Sequence, residues 1–144
     1  MHLTIVTIGQ PKLSFAKEGF AEYMKRLGGF HKVSVNHIKD DAQAKKKMLL
    51  AAGQGTVIAL DEKGKLFDSK GLSTWLESFS TQGENHLVFL IGGPDGLSDA
   101  VRQSAHHTLA LSPMTLPHDL AMLFFAEALY RASTISAGHP YHRN

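Results

Sequence analysis

His86–Gly96 read HLVFLIGGPDG, and this stretch decides the fold. Leu87-Val88-Phe89-Leu90-Ile91 is apolar without a break, then the chain stops at Gly92-Gly93-Pro94-Asp95-Gly96. A strand with one wet face alternates apolar and polar residues; an unbroken apolar run predicts a strand buried on both faces, as in parallel sheets covered by helices on either side. The glycine-proline cluster predicts a tight loop. Ser98 then offers a side-chain oxygen to open a helix ending near His106.

The same β-then-α order recurs on both sides of this unit. Leu3–Ile8 reads as a strand, and Ser14–Leu27 as a helix with Phe15, Phe20, Tyr23, Met24 and Leu27 near helical spacing before Gly28-Gly29, a C-cap signal. Val33–Ile38 alternates, and Asp40 or Asp41 caps a helix running to Gly53. Thr56–Leu60 is a β-branched run, Asp61–Lys65 has turn composition, and Ser69 begins a helix through Leu72, Trp75, Leu76 and Phe79 to Gly83. Downstream, Thr108–Leu111 is a short strand, Ser112–Pro117 a loop, and Asp119–Ala137 a helix stopped by Gly138. These units predict a single α/β domain over residues 1–144, a mostly parallel sheet with helices on both faces. The last helix is apolar almost all round from Leu120 to Ala126, more than one sheet face covers, which predicts a homodimer.

Composition excludes several classes. With 144 residues, 43% apolar and 19% charged, the chain has the material for one core and not the profile of a disordered segment. There is no Cys, which removes disulfides, thiolate catalysis and Cys-bound zinc and points to a reducing, cytoplasmic setting. The N-terminus lacks a basic leader and meets Gly9 early, so no signal peptide is predicted. The nearly uncharged stretch Leu109–Ala126 is interrupted by Pro113, Pro117, His118 and Asp119, so no membrane span is predicted either. His106-His107 and His139/His142 lack an HExxH pattern or a Cys partner, and no metal is predicted. A net charge of +2 is too mild to identify a nucleic-acid partner.

Ligands of open α/β folds bind beyond the carboxyl ends of strands, which directs attention to the loops after Leu60, Ile91 and Leu111. The glycine loop is neither GxGxxG nor a Walker motif, so a nucleoside triphosphate is disfavoured. Its glycines allow a close approach to a flat ligand, or simply make a tight turn before Ser98; the residues leave both open. In Leu111–His118 two prolines stiffen a segment displaying Leu and Met, suited to an apolar ligand. Glu127 and Arg131, four apart, read as a structural ion pair, and His118 as a loop brace or an RNA contact. Lys45-Lys46-Lys47, with Lys12, Lys17, Lys25, Arg26 and Lys32, either face phosphates or are solvated.

LVFLIGGPDG (87–96), SPMTLPH (112–118), EALYRA (127–132) and HPYHR (139–143) together resemble the ribosomal RNA large-subunit methyltransferase H family of the SPOUT superfamily. Ala21-Glu22-Tyr23 and Ile58-Ala59-Leu60 extend the resemblance more loosely into the N-terminal half. It implies a trefoil-knotted fold, which the rarity of knots would otherwise argue against. It also implies a homodimer that moves a methyl group from S-adenosyl-L-methionine to N3 of a pseudouridine in 23S rRNA, in the assembled ribosome. Residue by residue, it assigns cofactor contacts, mostly through backbone groups, to Leu60, Gly92, Gly93, Leu111, Ser112, Pro113, Met114, Thr115 and Leu116. The sulfonium is already an activated leaving group, so the protein chiefly aligns the reactants, worth up to roughly 7–11 kcal/mol. N3 is a weakly acidic imide that a base or a cation would help to ionise. His142, Arg143 and Tyr141 offer both kinds of group, reaching in a dimer into the partner's pocket; a solvated, frayed end is the other reading. A SPOUT enzyme for another RNA such as tRNA, and a non-catalytic ribosome-binding module, are the competing functions. The chain departs from the family pattern at Met122, where an Arg is usual, and in the shorter helix over Ala42–Ala52.

Overall fold

A computed structural model describes residues 1–142. The elements are β1 (His2–Ile8), α1 (Ser14–Leu27), β2 (Lys32–Ile38), α2 (Ala44–Ala52), β3 (Thr56–Lys65), α3 (Ser69–Thr81), β4 (His86–Ile91), α4 (Asp99–Gln103), β5 (His107–Leu109) and α5 (His118–Ser136), with a 3-10 turn at Pro140–His142. The strands form one parallel sheet in the order β2-β1-β4-β3-β5.

The unbroken apolar run of β4 is explained by its place in the middle of that sheet. Leu87, Phe89 and Ile91 enter a core layer shared with Phe20 and Leu27 of α1, Leu76 and Phe79 of α3 and Phe125 and Leu129 of α5. Val88 and Leu90 enter the opposite layer with Met48 of α2 and Val101 of α4. Both faces are therefore covered, as the sequence predicts. Met122 is fully buried in the first of these layers.

Several boundaries differ from the sequence expectation, each for a local reason. The segment Asp61–Lys65, expected as a turn, returns to the sheet: β3 leaves the ladder after Leu60 and rejoins it at Lys65, opposite Leu109, with a register shift between. Ala110 N–H donates to the Lys65 carbonyl at 2.9 Å, and a Cβ on Gly64 would lie 2.8 Å from Leu109 N, so only glycine passes there. Helix α4 stops at Gln103, short of His106, because His106 is already committed to β3. Its backbone N–H donates to the Val57 carbonyl and its Nδ1 accepts from Val57 N–H, both at 2.9 Å. The α2 cap is Gln43 without a side-chain bond; Asp41 instead accepts from Gln43 N–H at 2.8 Å, a turn preceding the helix. Ser98 caps α4 as expected, accepting from Val101 N–H at 3.3 Å.

The two ends flanked by glycine differ. Gly28 after α1 stays right-handed at φ −59°. Gly138 after α5 is left-handed at φ +71°; its N–H donates to Ile135 O at 3.2 Å and His139 N–H donates to Thr134 O at 2.9 Å, a Schellman closure. Among the described residues no helix is long and apolar enough to cross a membrane.

Candidate active site

Because β3, β4 and β5 are neighbours in a parallel sheet, the loops leaving their carboxyl ends converge. They enclose a cleft of about 420 Å³, within the range of small-molecule sites. Leu60, Gly92, Gly93, Leu111, Ser112, Met114 and Leu116 line it; Pro113 and Thr115 belong to the same loop but not to the lining. The proline-flanked loop is braced by Met114 N–H donating to Ser112 Oγ at 2.9 Å, while the Met114 side chain is 77% exposed at the mouth.

The glycine loop forms a compact turn. Gly96 N–H donates to Gly93 O at 2.9 Å, and Gly96 is left-handed at φ +77°. A Cβ on Gly92 would lie 2.6 Å from Leu97 N. The loop is thus a tight turn folded against itself, and the compactness that requires Gly92 also brings bare backbone to the cleft wall.

Other cleft residues are polar: the charged Asp61, Glu62, Asp95, Lys63 and Arg102, and the imidazole of His118. Arg102 pairs with Asp99 on its own helix and lies 4.0 Å from Asp61 across the cleft rim. These rim residues escape a sequence reading; Asp61-Glu62-Lys63 has turn composition, and Arg102 is one exposed arginine on a short helix. His118 Nδ1 lies 3.5 Å from Asp119 Oδ1, and its Nε2 is buried with no hydrogen-bond partner among the described residues. Asp119 Oδ2 in turn accepts from Lys12 N–H at 2.8 Å and Leu13 N–H at 2.6 Å. Those bonds, Leu13 first, hold its carboxyl below the ordinary carboxylate range.

This donor set fits S-adenosyl-L-methionine. Leu60, Ile91, Leu109, Leu111 and Leu116 offer apolar cover for an adenine; the orphaned His118 Nε2 and the bare glycine backbone offer hydrogen bonds; and the mixed acidic and basic rim suits a ligand carrying a sulfonium, an ammonium and a carboxylate.

The C-terminal residues lie elsewhere. The Tyr141 hydroxyl is 3.1 Å from that of Tyr23 and donates to Glu127 Oε1 at 3.5 Å, and its ring packs edge-on to Tyr130. Burial, first, and the Tyr23 hydroxyl raise its pKa. Arg131 bonds Glu127 at 2.8 Å, the ion pair expected from their spacing, and stacks over Tyr141. His142 Nδ1 is buried without a partner among the described residues. Neither Tyr141 nor His142 lines the cleft of its own chain; Arg143 lies outside the described residues.

Comparison with known proteins supplies the family. Residues 1–142 match the family described as "Predicted SPOUT methyltransferase". The chain is 49% identical to the ribosomal RNA large subunit methyltransferase H of Deinococcus radiodurans, covering 99% of each, and 48% identical to that of Deinococcus deserti, covering 99% of this chain and 100% of the relative. Among solved structures, a probable methylase family protein from Haemophilus influenzae superposes with a TM-score of 0.62 at 13% identity, over 99% of this chain and 70% of that one. A probable methyltransferase from Bordetella pertussis gives 0.58 at 13% identity, over 92% and 95%. At such identities the structural likeness speaks to the fold alone, but the full-length relatives speak to ancestry: the chain belongs to the SPOUT methyltransferase family, in the group of ribosomal RNA large subunit methyltransferase H.

Proposed function

We propose that this chain is an S-adenosyl-L-methionine-dependent methyltransferase of large-subunit ribosomal RNA, acting on N3 of a pseudouridine in 23S rRNA. The observation that carries the reading is the cleft, where loops from three adjacent strands bring together Leu60, the Gly92-Gly93 turn and the Leu111–Leu116 loop. The cofactor supplies an activated methyl group when bound. The chain's own residues provide apolar walls, backbone hydrogen bonds and exclusion of water, which together align donor and acceptor.

The reading includes a homodimer working in the cytoplasm on the assembled ribosome, with residues 1–144 acting as one domain and carrying the family's trefoil knot. Leu13 at the N-cap of α1, Phe15 in its first turn, and Leu120 and Phe124 on the first half of α5 are exposed where the two helices pack together, and they supply an apolar face for a second copy. Since Tyr141 and His142 do not line their own cleft, their catalytic use requires the partner's, where His142, Arg143 and Tyr141 would help ionise N3.

Calorimetric titration with S-adenosyl-L-methionine tests the cofactor site, repeated with Pro113–Pro117 replaced by a Gly/Ser loop. Saturable binding lost on replacement supports it; no binding by the intact chain leaves only a non-catalytic module. Labelled methyl transfer to ribosomes, and not to tRNA or to ribosomes with uridine in place of pseudouridine, tests the acceptor.

A further inference from the structure

Beside the cleft, on the same edge of the sheet, the carboxyl ends of β1 and β2 open into a second hollow of about 560 Å³, lined by Lys12, Lys17, Lys39, His37 and Asp40. We propose that it is a phosphate-binding site that grips the backbone of the RNA substrate next to the nucleotide being modified. The proposal rests on the functional reading above and assigns a site to that substrate's backbone.

Charge is the first argument. Three lysines from separate places meet here: Lys12 before α1, Lys17 in its first turn and Lys39 after β2. All three are exposed, and none forms an ion pair among the described residues. Among the described lining residues the one carboxylate is Asp40; Asp119, which anchors Lys12, has its Oδ2 engaged by the backbone N–H groups of Lys12 and Leu13. A hollow with three ammonium groups and one wall carboxylate is an anion site, and a phosphodiester is the anion that RNA presents repeatedly.

Placement is the second. Ile8 ends β1 immediately before Gly9 of the hollow, and a Cβ on Gly93 of the cleft would lie 3.3 Å from Ile8 Cγ2, so the residue that leads into the hollow packs against the cleft's glycine turn. Asp119 adds a tie: it anchors the backbone of Lys12 while contacting His118 of the cleft. Phosphate contacts fix register and base contacts read identity, so a phosphate site at a fixed offset from the cleft sets which nucleotide reaches the methyl donor.

The test compares the full chain with a Lys12→Gln/Lys17→Gln/Lys39→Gln variant, and with a Lys45→Gln/Lys46→Gln/Lys47→Gln variant of α2. Binding of the fluorescently labelled proteins to assembled ribosomes is followed by fluorescence anisotropy over a salt series, and S-adenosyl-L-methionine affinity is measured in parallel to establish folding. The expected result is a roughly 10–100-fold loss of ribosome affinity in the hollow variant, a shallower salt dependence by about one unit for each phosphate contact removed, and unchanged cofactor affinity. Ribosome affinity and salt slope equal to those of the unmodified chain overturn the proposal, as does a loss confined to the α2 variant. Free phosphate is the other source of the same chemistry: saturable binding of inorganic phosphate that needs these lysines, without any change in ribosome affinity, also overturns it. If the unmodified chain does not bind ribosomes, the functional reading itself fails and takes this proposal with it, an outcome distinct from equal binding by chain and variant.

Discussion

Asp119 Oδ2 accepts a hydrogen bond from the backbone N–H of Leu13 at 2.6 Å, joining residues 106 apart in sequence. The bond fastens the entry of α1 to the first turn of α5, and Lys12 N–H adds a second donor to the same oxygen. Asp119→Ala removes the one acceptor that both donors share and is expected to cost about 1–2 kcal/mol at neutral pH. The carboxyl's pKa is depressed in the fold, so its contribution is complete above the ordinary carboxylate value and disappears as pH falls through the lowered one. Urea unfolding of both proteins should therefore show a gap at pH 7 that narrows in acid, below the ordinary carboxylate range. A gap of equal size at both would mean that the charge contributes nothing.

His31 provides a second pH dependence, at the opposite end of the sheet. Its Nε2 bonds Ser133 Oγ at 3.0 Å, its Nδ1 is buried without a partner among the described residues, and burial, with the N-terminal ammonium, lowers its pKa to about 4. The folded state thus favours neutral imidazole. The contribution is present above the ordinary value near 6.5 and is lost as pH falls toward 4, on the order of 2 kcal/mol after allowing for partial exposure. His31→Gln should flatten the stability profile between pH 7 and 4 by that amount; parallel profiles for the two proteins would refute the assignment.

Gly92 and Gly93 are adjacent yet unequal. An added methyl at Gly92 meets the backbone of Leu97 at 2.6 Å, whereas at Gly93 it meets the Ile8 side chain at 3.3 Å, which can shift. Gly92→Ala is expected to destabilise by about 1–3 kcal/mol and to abolish cofactor binding, while Gly93→Ala costs less in both respects. Thermal unfolding and titration with S-adenosyl-L-methionine would reveal the order, and equal effects would contradict it.

Phe124, 44% exposed, and Phe15, 55% exposed, belong to the apolar face assigned to the dimer. Phe124→Glu should yield a folded monomer in sedimentation experiments that binds cofactor but transfers no methyl groups. Mixing Gly92→Ala subunits with subunits cut before Tyr141 should restore part of the activity, because one intact cleft and one intact tail then face each other. A fully active monomer would sink the shared-site reading.

The layers and the site loops were legible because both are written in local chemistry. The run Leu87–Ile91 shows burial on two faces, and Gly92, Pro94, Pro113 and Pro117 mark where the chain leaves the sheet. What stayed hidden depends on partners distant in sequence. Lys65 returns to the ladder only because Leu109 is there to receive it, so a turn and an excursion from a strand share one composition. The shortening of α4 reflects the bonds of His106 to Val57. Lys12 and Lys17 are visible as basic residues in the sequence, but their convergence with Lys39 is produced by β1 and β2 pairing in register, Ile8 opposite Ile38.

The left-handed turn at Gly138 has a thermodynamic consequence for assembly. With two backbone bonds closing the end of α5 and Tyr141 seated on Tyr130, the segment up to His142 is ordered within a single chain. Fixing a loose segment of several residues ordinarily costs about 1–2 kcal/mol per residue. A chain whose tail is already set by its own glycine meets a second copy with that entropy largely spent in folding, so pairing concentrations reflect the apolar face more than the tail.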